Sequence, residues 1–310
     1  MKEYKFEELK ELKYGENPHQ YACLYSTENM ADYEVLFGKE LSYDNILNLA
    51  EVTRIISEFY DVNAVAITKH KTCCGVALGK SAEEAYNKAF DCDPIGAFYG
   101  TIGFSKTVNL EMAKHLSSMG VKAVIAPEFD LDALRFIDDN ASFKTVRLYT
   151  PLKDLNRICT EDIKLTPFGV LVQDKNTTEL NKDSFKVVTN TKPTQEQLED
   201  AIFAWKVVKH ANTDGAVVAK DFATKGIAQG QTNSTLAVEQ ALNAACDGSK
   251  EAILATDGII YSQDAIYAAA QGRISLIIQP GGSPRDGELI KLADKYNIAM
   301  VMTGIRNHRY

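Results

Sequence analysis

The chain has 310 residues, 45% apolar and 25% charged, which suffices for a large core and two domains of ordinary size and excludes a disordered tail or a small stapled scaffold. Its net charge is −8 with 34 Lys and Arg scattered along the sequence, so there is no basic stripe for nucleic acid and any anionic ligand must be met by a few local cations. No apolar run approaches the roughly 18–20 residues that cross a bilayer, and the start MKEYKFEELK is charged where a secretion signal is apolar, so a cytoplasmic protein without a membrane partner is expected. The cysteines (Cys23, Cys73, Cys74, Cys92, Cys159, Cys246) form no C-x-x-C pair, and neighbours such as Cys73 and Cys74 do not bridge with normal geometry. Neither structural zinc nor a disulfide framework is expected.

Gly15, Asn17 and Pro18 make Glu11–Tyr25 a shaped loop that enters a strand near Ala22–Tyr25. Ile46, Leu47, Ala50, Ile55, Ile56 and Phe59 then follow helical spacing, and Asn63–Ile67 is a short β-branched run that predicts a buried strand. From here one pattern occurs twice. NAVAITKHKTCCGVALGKSAEEAYNKAF and DGAVVAKDFATKGIAQGQTNSTLAVEQALNAA each predict strand, polar Gly-containing loop, strand and helix. Each continues with a strand (Ile102–Phe104; Ala252–Ala255), a helix (Asn109–Met119; Gln263–Ala270) and a strand ending at proline (Val121–Pro127; Ile274–Pro280). Pro151–Thr194, with PFGVLVQD and SFKVVTN, predicts a β-containing connector, and the helix Gln195–His210 carries the lone Trp205. The expected class is α/β, with an N-terminal subdomain at 1–150, the connector at 151–194 and a C-terminal subdomain at 195–310.

Lys69 and His70 end a predicted strand, where open α/β sheets place ligands. An imidazole beside an ammonium suits attack by a weak amine on an acyl carbon, the first taking the proton and the second steadying the oxyanion. A merely solvated pair is the plain alternative. Adjacent strand residues point to opposite faces, so both side chains reach one pocket only if the chain leaves regular β geometry there. His19 reads as a loop-fastening residue. GGSPRD, before a helix at Gly287–Tyr296, offers backbone N–H groups to an anion. Arg306, His308 and Arg309 follow the strand Ile298–Thr303 and read alone as a solvated tail.

LKYGENPHQ (Leu12–Gln20), ELSYDNILN (Glu40–Asn48), KHKTCCGVALG (Lys69–Gly79), DCDPIGAF (Asp91–Phe98), FGVLVQD (Phe168–Asp174), AWKVVKH (Ala204–His210) and IIQPGGSPRD together resemble the AICAR transformylase domain of the bifunctional purine-biosynthesis family, in the family's order across nearly the whole chain. AICAR is the ribonucleotide of aminoimidazole carboxamide. The resemblance implies formyl transfer from 10-formyltetrahydrofolate, a co-substrate, to the 5-amino group of AICAR. It also implies two cytidine-deaminase-like subdomains in tandem without a metal, and an intertwined homodimer with sites at the subunit interface. The chain begins where the family's cyclohydrolase domain would end, so a separate IMP cyclohydrolase is expected to act downstream.

By the same resemblance Lys69 and His70 match the catalytic pair, His70 as proton acceptor and Lys69 as electrostatic stabiliser, and Asp214 stands at a catalytic asparagine. Lys13 and Tyr14 match residues that meet the nucleotide phosphate, as does Arg306; Asn45 matches a nucleotide contact, and Phe98, beside Tyr99, the aromatic of a substrate loop. Asp264 and Ser283 match the pterin pocket.

The departures lie in the site. The family's K-H-x-N-P-C-G reads KHKTCCG, a nucleotide-facing arginine becomes Ser234, and a phosphate-binding lysine gives way to Asp138–Asp139–Asn140. The family's S-D-A-F-F-P-F, which sandwiches the folate, reads TDGIIYSQD at Thr256–Asp264. Lys122, Lys144, Arg147 and Arg135 lie near enough in sequence to replace lost cations, and Ile259, Ile260 and Tyr261 to restore part of the stacking area. Two alternatives therefore stay open: a divergent enzyme for another amino-nucleotide or acyl donor, and a silent dimeric binding protein, against which the retained Lys69 and His70 weigh. A zinc nucleoside deaminase fails for want of H-x-E followed by P-C-x-x-C.

Overall fold

A computed structural model describes residues 3–158, 160–180 and 185–310; Cys159 and the first residue of SFKVVTN, Ser184, lie outside the described residues. The chain opens with an antiparallel ribbon, β1 (Glu7–Leu12) and β2 (Ala22–Ser26), then β3 (Tyr33–Phe37), α1 (Tyr43–Ser57) and the hairpin β4 (Asn63–Lys69) and β5 (Thr72–Gly79). There follow α2 (Ala82–Phe90), the single turn α3 (Pro94–Ala97), β6 (Thr101–Phe104), α4 (Leu110–Ser118), β7 (Ala123–Ala126), α5 (Leu131–Asn140), β8 (Lys144–Leu148), and a second ribbon of β9 (Glu161–Thr166) and β10 (Gly169–Asp174). The remainder is β11 (Lys186–Val187), α6 (Gln195–Val208), the hairpin β12 (Ala216–Lys220) and β13 (Ala223–Ala228), α7 (Ser234–Ala245), β14 (Ile253–Thr256), α8 (Gln263–Gln271), β15 (Leu276–Gln279), α9 (Asp286–Lys295) and β16 (Ala299–Met302).

The class is α/β. From α1 to β8 and again from α6 to β16 the order is helix, hairpin, helix, strand, helix, strand, helix, strand, with α3 added in the first. Each hairpin closes through two non-glycine residues with left-handed backbone, His70 and Lys71 (φ 54° and 61°) in one, Asp221 and Phe222 (55° and 54°) in the other. Paired positive φ values are those of type I′ turns, whose twist matches that of the strands they join. Each second strand also carries a glycine where the next helix passes close. A Cβ on Gly75 would lie 2.0 Å from the Ala89 carbonyl oxygen of α2, and one on Gly226 2.2 Å from that of Ala241 in α7.

Two compact units divide the chain: Met1–Asn63, Thr68–Lys71 and Phe98–Thr178 form the first, and Ala64–Ile67, Thr72–Ala97 and Glu179–Tyr310 the second. In the first, β6, β7 and β8 run parallel and β3 pairs antiparallel on the outer side of β8. Helix α1 starts at Tyr43, three residues before the apolar spacing predicts, because Ser42 and Asn45 form a capping box. Its Val52, Ile55 and Ile56 are fully buried. In the second unit the strand order is β11-β16-β15-β14-β12-β13-β5-β4, with β14, β15 and β16 parallel. Val218, Leu254, Ile277 and Met300 pack there with Val238, Leu242, Ile266 and Leu289 of α7, α8 and α9.

Candidate active site

In the first unit the parallel strands begin side by side. The Tyr99 amide donates to Gly120 O (2.9 Å), that of Lys122 to Gly100 O (3.0 Å), and that of Lys144 to Lys122 O (3.2 Å). The Lys69 ammonium, at the carboxyl end of β4, donates to Phe98 O at 2.8 Å and so ties the strand end to the loop that carries Phe98 and Tyr99. Both rings are about half exposed and meet edge to face at 4.8 Å. Gly120, at φ +63°, leaves room for the Phe98 ring, which a Cβ there would meet at 2.8 Å. His70 is exposed and, at φ 54°, has left β geometry, the condition for sharing a pocket with Lys69.

The amino end of α1 closes the ring. Asn48, 3% exposed, donates to the Asp44 main-chain and side-chain oxygens (2.8 Å each), accepts the Lys71 amide on Oδ1 (2.9 Å) and accepts the Thr68 hydroxyl on its main-chain oxygen (3.2 Å). Asp44 pairs with Lys122. Asn45 is 1% exposed; its Oδ1 accepts the Ser42 amide at 3.1 Å, and its buried Nδ2 has no partner among the described residues. An unpaired buried donor costs about 1–3 kcal/mol, which a ligand oxygen would recover. Asn48 and Asp44 are members of this ring that sequence reasoning missed, while the sequence predicts Lys122 there only as a replacement cation. A second asparagine three positions after Asn45 was the available signal.

Lys13 and Tyr14 follow β1 and are not members of this ring; the Lys13 ammonium lies 5.9 Å from the Tyr14 ring centroid. Among the proposed replacement cations Arg135 pairs with Asp132 (3.3 Å), Arg147 with Glu128 (2.6 Å) and Lys122 with Asp44, while no ion pair engages Lys144 among the described residues. Burial, with Lys122 and Lys39 close by, holds the Lys144 ammonium below the usual lysine range.

In the second unit Asp214, Asp257 and His308 bring ligand atoms within 4.8 Å of one another, a set that could hold a cation though it is not a zinc motif. Asp257, 1% exposed, accepts the Gly215 amide on Oδ1 (2.9 Å), and its Oδ2 is buried without a partner among the described residues. Burial pushes this carboxyl above the usual range, against the Thr213 hydroxyl and the Gly215 amide. Arg306 is exposed on the same C-terminal segment.

The residues matched to the folate side also lie in this unit. Ile259 and Ile260 are core residues, 4% and 0% exposed, so the expected stacking area falls to Tyr261, which is 54% exposed. Arg285, another residue missed from sequence, reaches Tyr261 O at 3.4 Å. Ser283, 7% exposed, accepts the Arg285 amide at 3.1 Å. Asp264 sits at the start of α8 and accepts the Ser262 hydroxyl at 3.0 Å. In GGSPRD the Gly282 amide donates to Asp286 at 2.7 Å, so the chain's own carboxylate takes the N–H that the sequence offered to an anion. Among the described residues the cysteines form no disulfide.

Residues 1–244 match the family model described as AICARFT/IMPCHase bienzyme. Proteins named bifunctional purine biosynthesis protein PurH are similar over nearly the whole chain: 42% identical over 98% of it in Caldicellulosiruptor saccharolyticus, 43% over 97% in Caldicellulosiruptor bescii and 41% over 98% in Acetivibrio thermocellus. The chain spans about 60% of the length of these relatives, at 60%, 59% and 60%.

Proposed function

Because the chain belongs to the AICARFT/IMPCHase family, we propose that it is an AICAR transformylase of purine biosynthesis, with 10-formyltetrahydrofolate as co-substrate. The observation that supports this reading is the ring at the end of β4, in which Lys69 bonds to the Phe98 loop and the turn bearing His70 and Lys71 bonds to Asn48 of α1, the helix that also carries the buried Asn45 donor. His70 takes a proton as the 5-amino nitrogen bonds to the formyl carbon, and Lys69 steadies the oxyanion. When the bond from that carbon to N10 breaks, the proton passes to N10, leaving formyl-AICAR and tetrahydrofolate. Ring closure to IMP is the work of a cyclohydrolase activity downstream.

The same reading takes the two repeats, joined through the connector at 151–194, as cytidine-deaminase-like subdomains of an intertwined homodimer. Lys13, Tyr14, Phe98, Tyr99 and Arg306 then serve the nucleotide, Asp214 the reaction, and Tyr261, Asp264 and Ser283 the folate. One observation favours a variant of it: Ile259 and Ile260 are buried where the family stacks the folate, which suits a different acyl donor on the same amine chemistry. A spectrophotometric assay of tetrahydrofolate release tests both. Release that requires AICAR supports the transformylase. AICAR binding without release from 10-formyltetrahydrofolate supports the other donor, and no AICAR binding at millimolar ligand contradicts both.

A further inference from the structure

The beginnings of β7 and β8 and the end of β3 carry a concentration of positive charge of which the ring engages only Lys122, through Asp44. Ala123 and Lys144 are register partners, Lys144 donates its amide to Lys122 O, and Phe37, two residues before Lys39, pairs with Thr145. A Cβ on Gly38 would lie 3.0 Å from Lys144 Cα, so the β3 end passes close over Lys144. Lys39, Lys122 and Lys144 are thus gathered by the backbone of three strands. Asp44 is the carboxylate paired with Lys122, and the next acidic residue, Glu40, pairs with Lys10 at 2.5 Å. The amino end of the 15-residue α1 adds a positive dipole, and on the residue after Asp44 the Asn45 Nδ2 is buried without an acceptor among the described residues.

We infer that Lys39, Lys122 and Lys144, with Asn45, form a receptor for a phosphate monoester, taking the 5′-phosphate of the nucleotide in place of the cation lost at Asp138–Asp139–Asn140. The inference deepens the proposed function and, for the identity of the nucleotide, rests on it. A phosphate monoester carries about −1.5 to −2 charges near pH 7 and three strong acceptor oxygens, each with more than one lone pair, enough to engage three ammonium groups and an amide N–H together. Asp44 stands in for that anion in the free protein. When phosphate arrives Lys122 exchanges the carboxylate for it, while Asp44 keeps its bonds from Asn48. Burial lowers the basicity of Lys144, and the like charges of Lys122 and Lys39 add to that, an imbalance of charge around the ammonium. Bound phosphate reverses that imbalance.

The test is titration calorimetry on the full chain with ribose 5-phosphate against ribose, then AICAR against its riboside. Wild type should bind each phosphorylated compound and prefer it to its partner. Lys144→Gln should weaken the phosphorylated ligand about ten- to a hundredfold, the size of one lost charge-assisted bond, and leave riboside affinity unchanged, and Lys122→Gln should weaken the phosphorylated ligand by more than it weakens the riboside. Asp44→Asn, which keeps the acceptor for Asn48 and removes the competing charge, should tighten phosphate binding severalfold. Opposite signs at Lys122 and Asp44 are not expected of general damage to the fold. No preference for the phosphorylated ligands, or unchanged affinity in both lysine variants, overturns the inference. Binding of ribose 5-phosphate that depends on Lys144, with no binding of AICAR, keeps the receptor and removes the transformylase reading instead.

Discussion

His70 and Lys71 hold left-handed backbone angles that cost residues bearing a β-carbon roughly 1–3 kcal/mol each. Lys71 enters the ring through its amide, which donates to Asn48, so its side chain is dispensable to that contact. Lys71→Gly should therefore raise stability by about 0.5–1 kcal/mol, relief of strain less the added freedom of the unfolded chain, and keep activity. Urea denaturation reads the first and the formyl-transfer assay the second. A loss of stability would mean that the side chain, and not the turn, holds this corner. The ends of this site differ in how far sequence reveals them. A Lys-His pair at a strand end is visible as chemistry, but the Asp44–Lys122 pair joins residues 78 apart, and Asn48, a polar residue on a helix, resembles any solvated position.

Hairpin and helix are locked together by the absence of a side chain. At Gly75 and at Gly226 a methyl group would overlap a helix carbonyl oxygen, an obstacle that no rotamer change removes. Gly75→Ala and Gly226→Ala should each destabilise by about 3 kcal/mol or more, the upper end for overpacking, measured as a fall in urea midpoint with unchanged slope. Wild-type stability in either variant would contradict the close approach. Most elements follow the apolar periodicity because burial on one face dictates it. Strand β9 escaped because EDIKLT alternates charges with Ile163 and Leu165 in a ribbon whose Leu165 is 85% exposed, so no core selects its residues. The start of α1 escaped because a capping box, not hydrophobicity, sets it.

Across the chain the repeated order of elements was visible in sequence, since each copy spells out its own strands and helices. The contacts that assemble them were not: Val76 and Thr224 exchange hydrogen bonds of 3.0 and 3.2 Å across 148 positions, which no local pattern records. The buried carboxyl of Asp257 ties folding to pH. Its folded-state pKa is raised by burial above 3.8, so its contribution to stability is fully present below that value and is lost as pH rises through the raised one. Asp257→Asn should lack this loss, so that its stability gains on wild type as pH rises from 3.8 toward 7. Urea midpoints across that range check the sign, and a gap that narrows or reverses contradicts it.

The most direct measurement is turnover and AICAR affinity of His70→Ala, determined side by side with wild type. The account predicts a fall in kcat of two to four decades, the range of a lost general base, with the AICAR dissociation constant nearly unchanged. Wild-type turnover in that variant, or a fall explained entirely by lost nucleotide binding, would contradict it.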